Sequence, residues 1–320
     1  MKQHDDQLLI LRIAKYYYLD GLSQQEISEK ENIHRSQISR ILKQARDQGY
    51  VKIRVSIPES GTSDALGNQL RELLGLKAVY VAPTMSAKAD QSEALSFFAA
   101  RQLEEILPEC QNIGVGLGKT LYHVAAQLTS QRVNKPLKFF SVVGSSGTNN
   151  PYLQPSVILD NFAKHFRGSC HYNNFTICQK RSMMSPFDLK RFNELQKAYQ
   201  KLDTVVLSIA GPMNINYPYF DEFSLFSKKI DISQALTKPH ANLLGHVMYE
   251  NHQSLQLPED YFMTSMALSL LEKTENVICI AHGSEKVNPI ISAARQHYIK
   301  VLITDETTAQ ALIQKLTQVS

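Results

Sequence analysis

The chain has 320 residues, 43% hydrophobic and 20% charged, a composition that excludes a disordered or collagen-like protein. No apolar run approaches the roughly 20 residues that span a bilayer, and the acidic start at residues 1–6 is not typical of a signal peptide, so we expect a cytoplasmic protein with no membrane partner. Residues 1–57 hold 10 Lys and Arg against 7 Asp and Glu, which leaves +1 of the net +4 for the remaining residues. A small basic segment on a near-neutral body is typical of a nucleic-acid-binding domain joined to a domain with another task.

The first 57 residues predict three helices and a strand. Apolar residues at helical spacing predict a first helix over 7–19, with Leu8, Leu9, Leu11, Ile13, Ala14, Tyr17 and Tyr18. Ser23 followed by Glu26 is a capping box that begins a short second helix, and Asn32 is suited to the left-handed turn that ends it. A third helix over 35–48 turns Ile38, Ile41, Leu42 and Ala45 inward, and residues 50–55 alternate like a strand. Together these elements predict a winged helix-turn-helix.

The outward face of the third helix is rich in hydrogen-bond donors. Arg and Gln side chains read guanine and adenine in the major groove, whereas Lys43 is better placed for phosphates. The charge alone fits a solvated basic face equally well, and the other alternative is a three-helix module used for protein contacts. The short helix, tight turn and donor-rich second helix favour DNA. We expect the DNA contacts from Ser23, Gln24, His34, Arg35, Ser36, Gln37, Ser39, Arg40 and Lys43.

Three stretches of this segment are distinctive, namely GLSQQEIS at 21–28, RSQISRILKQAR at 35–46 and GYV at 49–51. Together they resemble the DNA-binding domain of the SorC family of bacterial sugar-responsive regulators. The family usually has Ser as the N-cap of the recognition helix, and this chain has His34, a weaker cap that is also suited to a phosphate.

The remainder, residues 58–320, predicts a doubly wound α/β domain after a turn-rich linker at 58–63. Strands are predicted at 78–81, 113–115, 139–143, 172–177, 204–209, 242–247, 277–281 and 300–303. Helices are predicted at 64–74, 91–106, 120–128, 155–165, 189–199, 260–271 and 289–297. This alternation predicts a mostly parallel, Rossmann-like sheet, whose ligand binds at the carboxyl ends of the strands.

The loop GVGLGKT at 114–120 lies between a predicted strand and helix, where glycines admit a phosphate to backbone N–H groups. A Walker A loop needs Gly in place of Ile113, and GxGxxG needs one more residue before its last Gly, so we reject ATP and NAD and expect no cofactor. A sugar phosphate fits Gly116, Gly118, Lys119 and Thr120 better. The alternative is a tight turn that needs glycines for geometry alone.

Three further loops follow predicted strands. The first has small polar residues suited either to a polyol or to a surface turn, namely Gly144, Ser145, Ser146, Gly147, Thr148 and Asn149. Lys286, after the most apolar strand, is suited to a phosphate or carboxylate. Thr304 or Asp305 is expected to cap the final helix. Four cysteines without CxxC spacing and histidines six apart predict no disulfide framework and no metal site.

These loops also resemble the SorC family's effector-binding domain, over 114–121, 144–147, 210–212, 244–247, 283–286 and 301–309. The resemblance implies a fold similar to ribose-5-phosphate isomerase and glucosamine-6-phosphate deaminase, a phosphorylated sugar or related metabolite as effector, and a homo-oligomer, generally a tetramer. It places the phosphate near Lys119, Thr120 and Lys286, and the hydroxyls near 145–149 and position 246.

Three positions depart from the family. Leu117 replaces a frequent Trp, His246 replaces an acid, and Ser145 replaces the Arg of relatives that bind doubly phosphorylated sugars. Ser145 lowers the expectation of a bisphosphate, and His246 favours a more anionic effector unless it only packs locally.

Because the implied fold is shared with enzymes, a sugar-phosphate isomerase or deaminase with a fused helix-turn-helix is the alternative function. Such chemistry needs a poised base, and no paired-carboxylate motif stands out. We therefore expect a regulator with a DNA-binding domain over 1–57 and an effector-binding, oligomerising domain over 58–320, partnered by operator DNA.

Overall fold

The N-terminal segment folds as three helices around a small apolar core. The computed structural model describes residues 2–51, 61–84, 91–131, 133–145, 150–211, 239–249, 257 and 259–318. Its first helices are α1 (Lys2–Tyr18), α2 (Gln24–Glu31) and α3 (Arg35–Asp47). One residue from each helix is fully buried in the core, namely Ile13, Ile27 and Ile38. Burial of such side chains stabilises by about 1.5–3 kcal/mol each.

Local chemistry sets both ends of α2 as predicted. The Ser23 Oγ accepts from the Glu26 N–H at 3.3 Å, and the Glu26 carboxylate accepts from the Ser23 N–H at 2.7 Å. At the other end Asn32 is left-handed, with φ 51°. The capping box and the stop are therefore confirmed.

Removing the cap gives a testable stability change. Ser23→Ala is expected to destabilise α2 by about 1 kcal/mol, because the Glu26 N–H at the helix start loses its acceptor. Hydrogen exchange of the α2 amides in the full chain should accelerate about fivefold. Ser39→Ala, an exposed serine of α3, is the control. Equal protection in Ser23→Ala and the control would contradict the cap's role.

The buried face of α1 differs from the prediction. Ile10 is 5% exposed, while Leu8 and Leu11 are 50% and 44% exposed. Ile10, Ile13 and Ala14 lie three and four residues apart on one face, whereas Leu8 and Leu11 lie off that face. The predicted strand at 50–55 lies mostly outside the described residues, and Tyr50 and Val51 are not in a strand.

The rest of the described chain is built on a seven-stranded parallel sheet. Its strands, in spatial order, are β1 (Ala78–Ala82), β12 (Val301–Asp305), β11 (Asn276–Ile280), β6 (Thr204–Leu207), β2 (Asn112–Val115), β3 (Lys138–Ser141) and β4 (Ser169–His171). Two small antiparallel sheets join β5 (Cys178–Lys180) to β10 (Tyr261–Met263), and β7 (Ile209–Ala210) to β8 (Pro239–Leu243) and β9 (His246–Tyr249).

Helices cover both faces of the sheet. They are α4 (Gly61–Leu74), α5 (Gln91–Ile106), α6 (Lys119–Gln127), α7 (Pro155–Phe166), α8 (Pro186–Tyr199), α9 (Leu268–Lys273), α10 (Val287–Arg295) and α11 (Glu306–Thr317). In β6, Val205 and Leu207 face the core of α4, α8, α10 and α11, while Val206 faces the core of α5, α6 and α7. Burial on both faces explains the continuous apolar strands. The parallel α/β domain is therefore confirmed.

Two predicted elements at the start and middle of this domain are wrong. Residues 61–63 are not linker but the first turn of α4, where the buried Ser63 donates to Glu306 at 2.7 Å. Residues 172–177 are not a strand. The side chain of the buried Asn173 bonds to Tyr199, Thr264 and Phe175 instead, and only Thr176 makes an isolated bridge, to Ser145.

Two more corrections lie near the carboxyl edge. The predicted strand at 242–247 is a hairpin, because Leu244 and Gly245 have φ of 53° and 87° and turn the chain between β8 and β9. The predicted helix at 260–271 is instead β10 followed by α9, since residues 261–263 pair with β5.

The described chain separates into two compact units. One holds residues 1–56 with 130–132, and the other holds 57–129 with 133–320. In the part that the structure describes, every helix is too short or too polar to cross a membrane.

Candidate functional site

The strand order defines where a ligand site is expected. After β2 the chain moves outward through β3 and β4, and it then returns to place β6 on the other side of β2. This reversal is a topological switch point, where open α/β sheets bind ligands in the crevice beyond the strands' carboxyl ends. The loops after β2 and β6 therefore flank the candidate site.

The loop after β2 is closely packed against the loop after β6. The Gly116 N–H donates to the Val206 carbonyl at 2.9 Å, and the Ser208 hydroxyl donates to the Leu117 carbonyl at 3.1 Å. Gly118 has φ 127°, and a Cβ there would lie 2.8 Å from the Ser208 Oγ. Only glycine accommodates both this backbone and this approach.

Gly118 places the start of α6 at the crevice without a capping side chain. The first N–H groups of a helix lack intrahelical partners, so this helix end is suited to an anion. Lys119 is exposed beside it, whereas the Thr120 side chain is buried. Thr120 therefore offers its backbone N–H to this end of the crevice rather than its hydroxyl.

The loop after β3 leaves the sheet through a crowded position. A Cβ on Gly144 would lie 2.4 Å from the Thr264 Oγ1 and 2.8 Å from the Ile177 Cα. The Ser145 N–H and carbonyl both bond to the 175–177 segment, each at 2.8 Å, so the Ser145 backbone is committed. Ser146, Gly147, Thr148 and Asn149, predicted to meet sugar hydroxyls, lie outside the described residues.

His246 begins β9 beside the hairpin turn. Its Nε2–H donates to the Met266 carbonyl at 3.0 Å, while Nδ1 has no partner among the described residues. Burial lowers the pKa of His246, although the bond to Met266 opposes this effect. A neutral imidazole with its proton on Nε2 presents Nδ1 as an acceptor. This state favours a hydroxyl group and runs against the expectation that His246 selects a more anionic effector.

Lys286 ends a short 3-10 turn, Ser284–Lys286, after β11. Its ammonium group forms no hydrogen bond or ion pair with the residues that the structure describes. Burial lowers the pKa of Lys286, and the neighbouring Glu285 carboxylate partly raises it. Lys286 is half-buried, and a partly desolvated cation without a partner is unfavourable, so Lys286 is suited to an anionic ligand.

Shared neighbours bring several of these loops together. A Cβ on Gly116 would lie 3.2 Å from Leu244, which adjoins the His246 turn. Glu285 packs against Gly211 and Gly283, which joins the loop after β7 to the loop of Lys286. In the next loop, Asp305 caps α11 by accepting from the Thr308 N–H at 2.8 Å, as predicted.

Sequence reasoning missed Ser208, Glu285 and the Met266 carbonyl. Ser208 directly follows a buried strand, and this signal was lost because the strand was predicted to continue through residue 209. Glu285 lies inside the predicted loop but was assigned no contact. No signal in the sequence identifies Met266, since its contact depends on how β9 and the 264–266 segment pack.

The N-terminal unit presents its own polar surface. Every predicted contact residue of α3 is exposed, namely Arg35, Ser36, Gln37, Ser39, Arg40 and Lys43. His34 is the N-cap and is also exposed. Ser23 is already engaged in the capping box, and Gln24 is half-buried. Groups of three or more metal-ligating side chains are absent from the described part of the chain.

Comparison with known proteins gives consistent results. A family model described as "Putative sugar-binding domain" matches residues 59–314. The chain is 29% identical to the deoxyribonucleoside regulator of Bacillus subtilis, over 98% of this chain and 99% of that protein. It is 23% identical to the sorbitol operon regulator of Klebsiella pneumoniae, over 98% and 100%.

Solved structures show the same fold. The full-length sorbitol operon regulator SorC from Klebsiella pneumoniae superposes with a TM-score of 0.70 at 21% identity, over 95% of this chain and 98% of that chain. A transcriptional regulator from Streptococcus pneumoniae gives 0.68 at 20% identity, over 79% and 97%.

Proposed function

This chain belongs to the SorC family of bacterial sugar-responsive transcriptional regulators, and we propose that a phosphorylated sugar bound at the sheet controls the binding of its N-terminal helices to operator DNA. The curated relatives are named as regulators, so the chain is a transcriptional regulator and not an isomerase or deaminase. The proposed target is a carbohydrate-utilisation operon.

The observation that carries the effector proposal is the convergence of an uncapped helix start and glycine-lined loops at the switch point. Gly116 and Gly118 let the loop pack closely, which leaves the uncapped N–H groups at the start of α6 for a ligand, and Lys119 and Lys286 supply positive charge. His246 and Ser145 supply groups for hydroxyls. Phosphate and polyol recognition are thereby combined at one edge of the sheet.

The DNA proposal rests on α2 and α3. A short helix, a tight turn at Asn32 and a second helix with exposed donors match a helix-turn-helix, with α3 as the recognition helix. We further propose that the residues after Tyr50 form a wing and that the sheet domain resembles sugar-phosphate isomerases. Residues 1–57 and 58–320 are the two proposed functional domains.

Binding to an operator with two half-sites requires two copies of the DNA-binding domain. We propose a homo-oligomer, a dimer or tetramer, that presents two recognition helices to half-sites about one helical turn, or a multiple of it, apart. Effector binding then changes operator affinity through the oligomer. We also propose a cytoplasmic location without a membrane partner.

The experiment combines selection of an operator with effector screening. The full chain is used to select DNA from a random library, and the selected operator is then titrated in the presence of sugar phosphates and their free sugars. A sugar phosphate that shifts operator affinity, where its free sugar does not, supports the proposal. If the chain selects no DNA sequence, the DNA-binding proposal is refuted. If no sugar phosphate in the panel changes its operator affinity, the effector proposal is refuted.

Arg40 tests the DNA interface directly. Arg40→Ala is expected to weaken operator binding about tenfold and to relax specificity at one base pair, because an arginine that reads guanine is lost. Its thermal stability should stay within about 0.5 kcal/mol, since Arg40 is exposed. Gel-shift titration at one fixed salt concentration measures the effect. Unchanged affinity would remove Arg40 from the interface.

A further inference from the structure

The first turn of α3 contains an unusual pair of side chains, His34 and Ser36. His34 is the N-cap, and its Nδ1 accepts from the Ser36 backbone N–H at 3.3 Å. The Ser36 Oγ lies 2.8 Å from the same nitrogen. Both residues are exposed on the surface proposed to face DNA.

These contacts fix the position of the Ser36 hydroxyl proton. A nitrogen that accepts a backbone N–H carries no proton of its own, so the Ser36 hydroxyl must be the donor in the 2.8 Å contact. The His34 proton then lies on Nε2. While it keeps this bond, the exposed Ser36 hydroxyl can accept a further hydrogen bond but cannot donate one.

A hydroxyl that only accepts hydrogen bonds distinguishes donor groups of the DNA from acceptor groups. Phosphate oxygens and the guanine N7 and O6 atoms are acceptors only, so they do not match Ser36 in this state. The exocyclic amines of adenine and cytosine are donors in the major groove, and they do match. The Nε2–H of His34, in contrast, matches a phosphate.

We propose that Ser36 reads an exocyclic amine of adenine or cytosine, and that His34 is the positioning residue that restricts it to this role. The inference rests on the proposed DNA-binding function. Ser39, exposed on the same helix, forms no such bond among the described residues and keeps its hydroxyl free to donate or accept. Specificity from one serine therefore depends on the histidine two residues before it.

The test begins with operator selection by the full wild-type chain and by Ser36→Ala, Ser36→Thr and His34→Ser. Ser36→Ala should lose about three- to tenfold of the preference for an A or C at one position per half-site, since one neutral hydrogen bond is removed. Ser36→Thr retains the hydroxyl and should restore the preference. His34→Ser keeps an N-cap but frees the Ser36 proton, so the position should also accept G or T. Ser156→Ala, an exposed serine of α7, is the matched control.

A second measurement removes the amine from the DNA instead. The adenine or cytosine at that position is replaced by purine or 2-pyrimidinone, which lack the exocyclic amine. Wild type should bind the altered operator three- to tenfold more weakly, and Ser36→Ala should bind both operators equally. The proposal is overturned if Ser36→Ala keeps every preference of wild type, or if wild type ignores the missing amine. A wild-type chain that selects no sequence instead refutes the DNA-binding function itself, before any variant is compared.

Discussion

Replacing Lys286 with methionine is expected to stabilise the free protein and to weaken its effector response. Lys286 is half-buried, and its partly desolvated ammonium group has no ion pair among the described residues, so an apolar side chain of similar length removes an unfavourable burial. The same change removes the cation proposed to meet the effector's phosphate. Loss of one charge-assisted hydrogen bond corresponds to about 1.5–3 kcal/mol, or roughly 10- to 150-fold in the effector concentration that gives half response.

Two readouts separate these effects. Chemical denaturation of the effector-free chain gives the free energy of unfolding, and operator release gives the dose curve. Lys315→Met, an exposed lysine of α11, is the matched control and should change neither by more than about 0.5 kcal/mol. If the dose curve of Lys286→Met coincides with that of wild type, Lys286 is not part of the effector site. If Lys286→Met is less stable than wild type, the Lys286 ammonium group has a stabilising partner in the folded chain.

The pH dependence of this stability has a definite sign. Because burial lowers the pKa of folded Lys286 below the ordinary value of 10.5, the unfolded state binds more protons between those two pKa values. The cost of burying the charge is fully present below the folded pKa. It is relieved as pH rises toward 10.5, so wild-type stability gains a rising component that Lys286→Met lacks.

Gly144→Ala is the second change with a large expected effect. A Cβ 2.4 Å from the Thr264 Oγ1 and 2.8 Å from the Ile177 Cα cannot be placed without moving backbone. Overpacking of this kind costs about 1–3 kcal/mol, and the fixed backbone neighbour argues for the upper end of that range. The effector response should fall as well, because the loop after β3 would shift away from the crevice.

Gly116→Ala is the matched comparison on the neighbouring loop. Its Cβ would meet the end of the Leu244 side chain at 3.2 Å, and a side-chain terminus can move by a few tenths of an ångström. Urea denaturation of both variants should therefore show a much larger loss for Gly144→Ala. Equal losses would mean that the crowding at Gly144 relaxes without backbone movement.

Elements set by neighbouring residues were predictable. The capping box at Ser23 and the left-handed stop at Asn32 depend on contacts within five residues. The apolar run at 277–281 identifies a strand buried on both faces, because alternate residues of the run pack into the cores on opposite sides of the sheet. Fold class and most helix positions follow from such local signals.

Elements set by distant partners were not predictable. Residues 261–263 form a strand only because 178–180 lie beside them, and nothing near Tyr261 indicates that partner. The hairpin at Leu244 was missed because leucine rarely adopts positive φ, so the sequence lacks the usual Asn-Gly turn signal. In the candidate site, the position of Lys286 after a strand could be predicted from the sequence. The contact between Ser208 and Leu117 could not, because it depends on β2 and β6 being neighbours in the sheet.

The sheet order also determines the sequence of events during synthesis. The core contacts of α1, α2 and α3 all lie within the first 51 residues, so this unit has a low contact order and can fold soon after it leaves the ribosome. Among the described strands, the edge strand β1 pairs with β12 alone, and Ala78 must wait for Val301. A nascent or truncated chain that ends before β12 would carry formed recognition helices without a complete sensor. Such fragments would lack the domain proposed to pair the recognition helices and to bind the effector, so they could not respond to a metabolite.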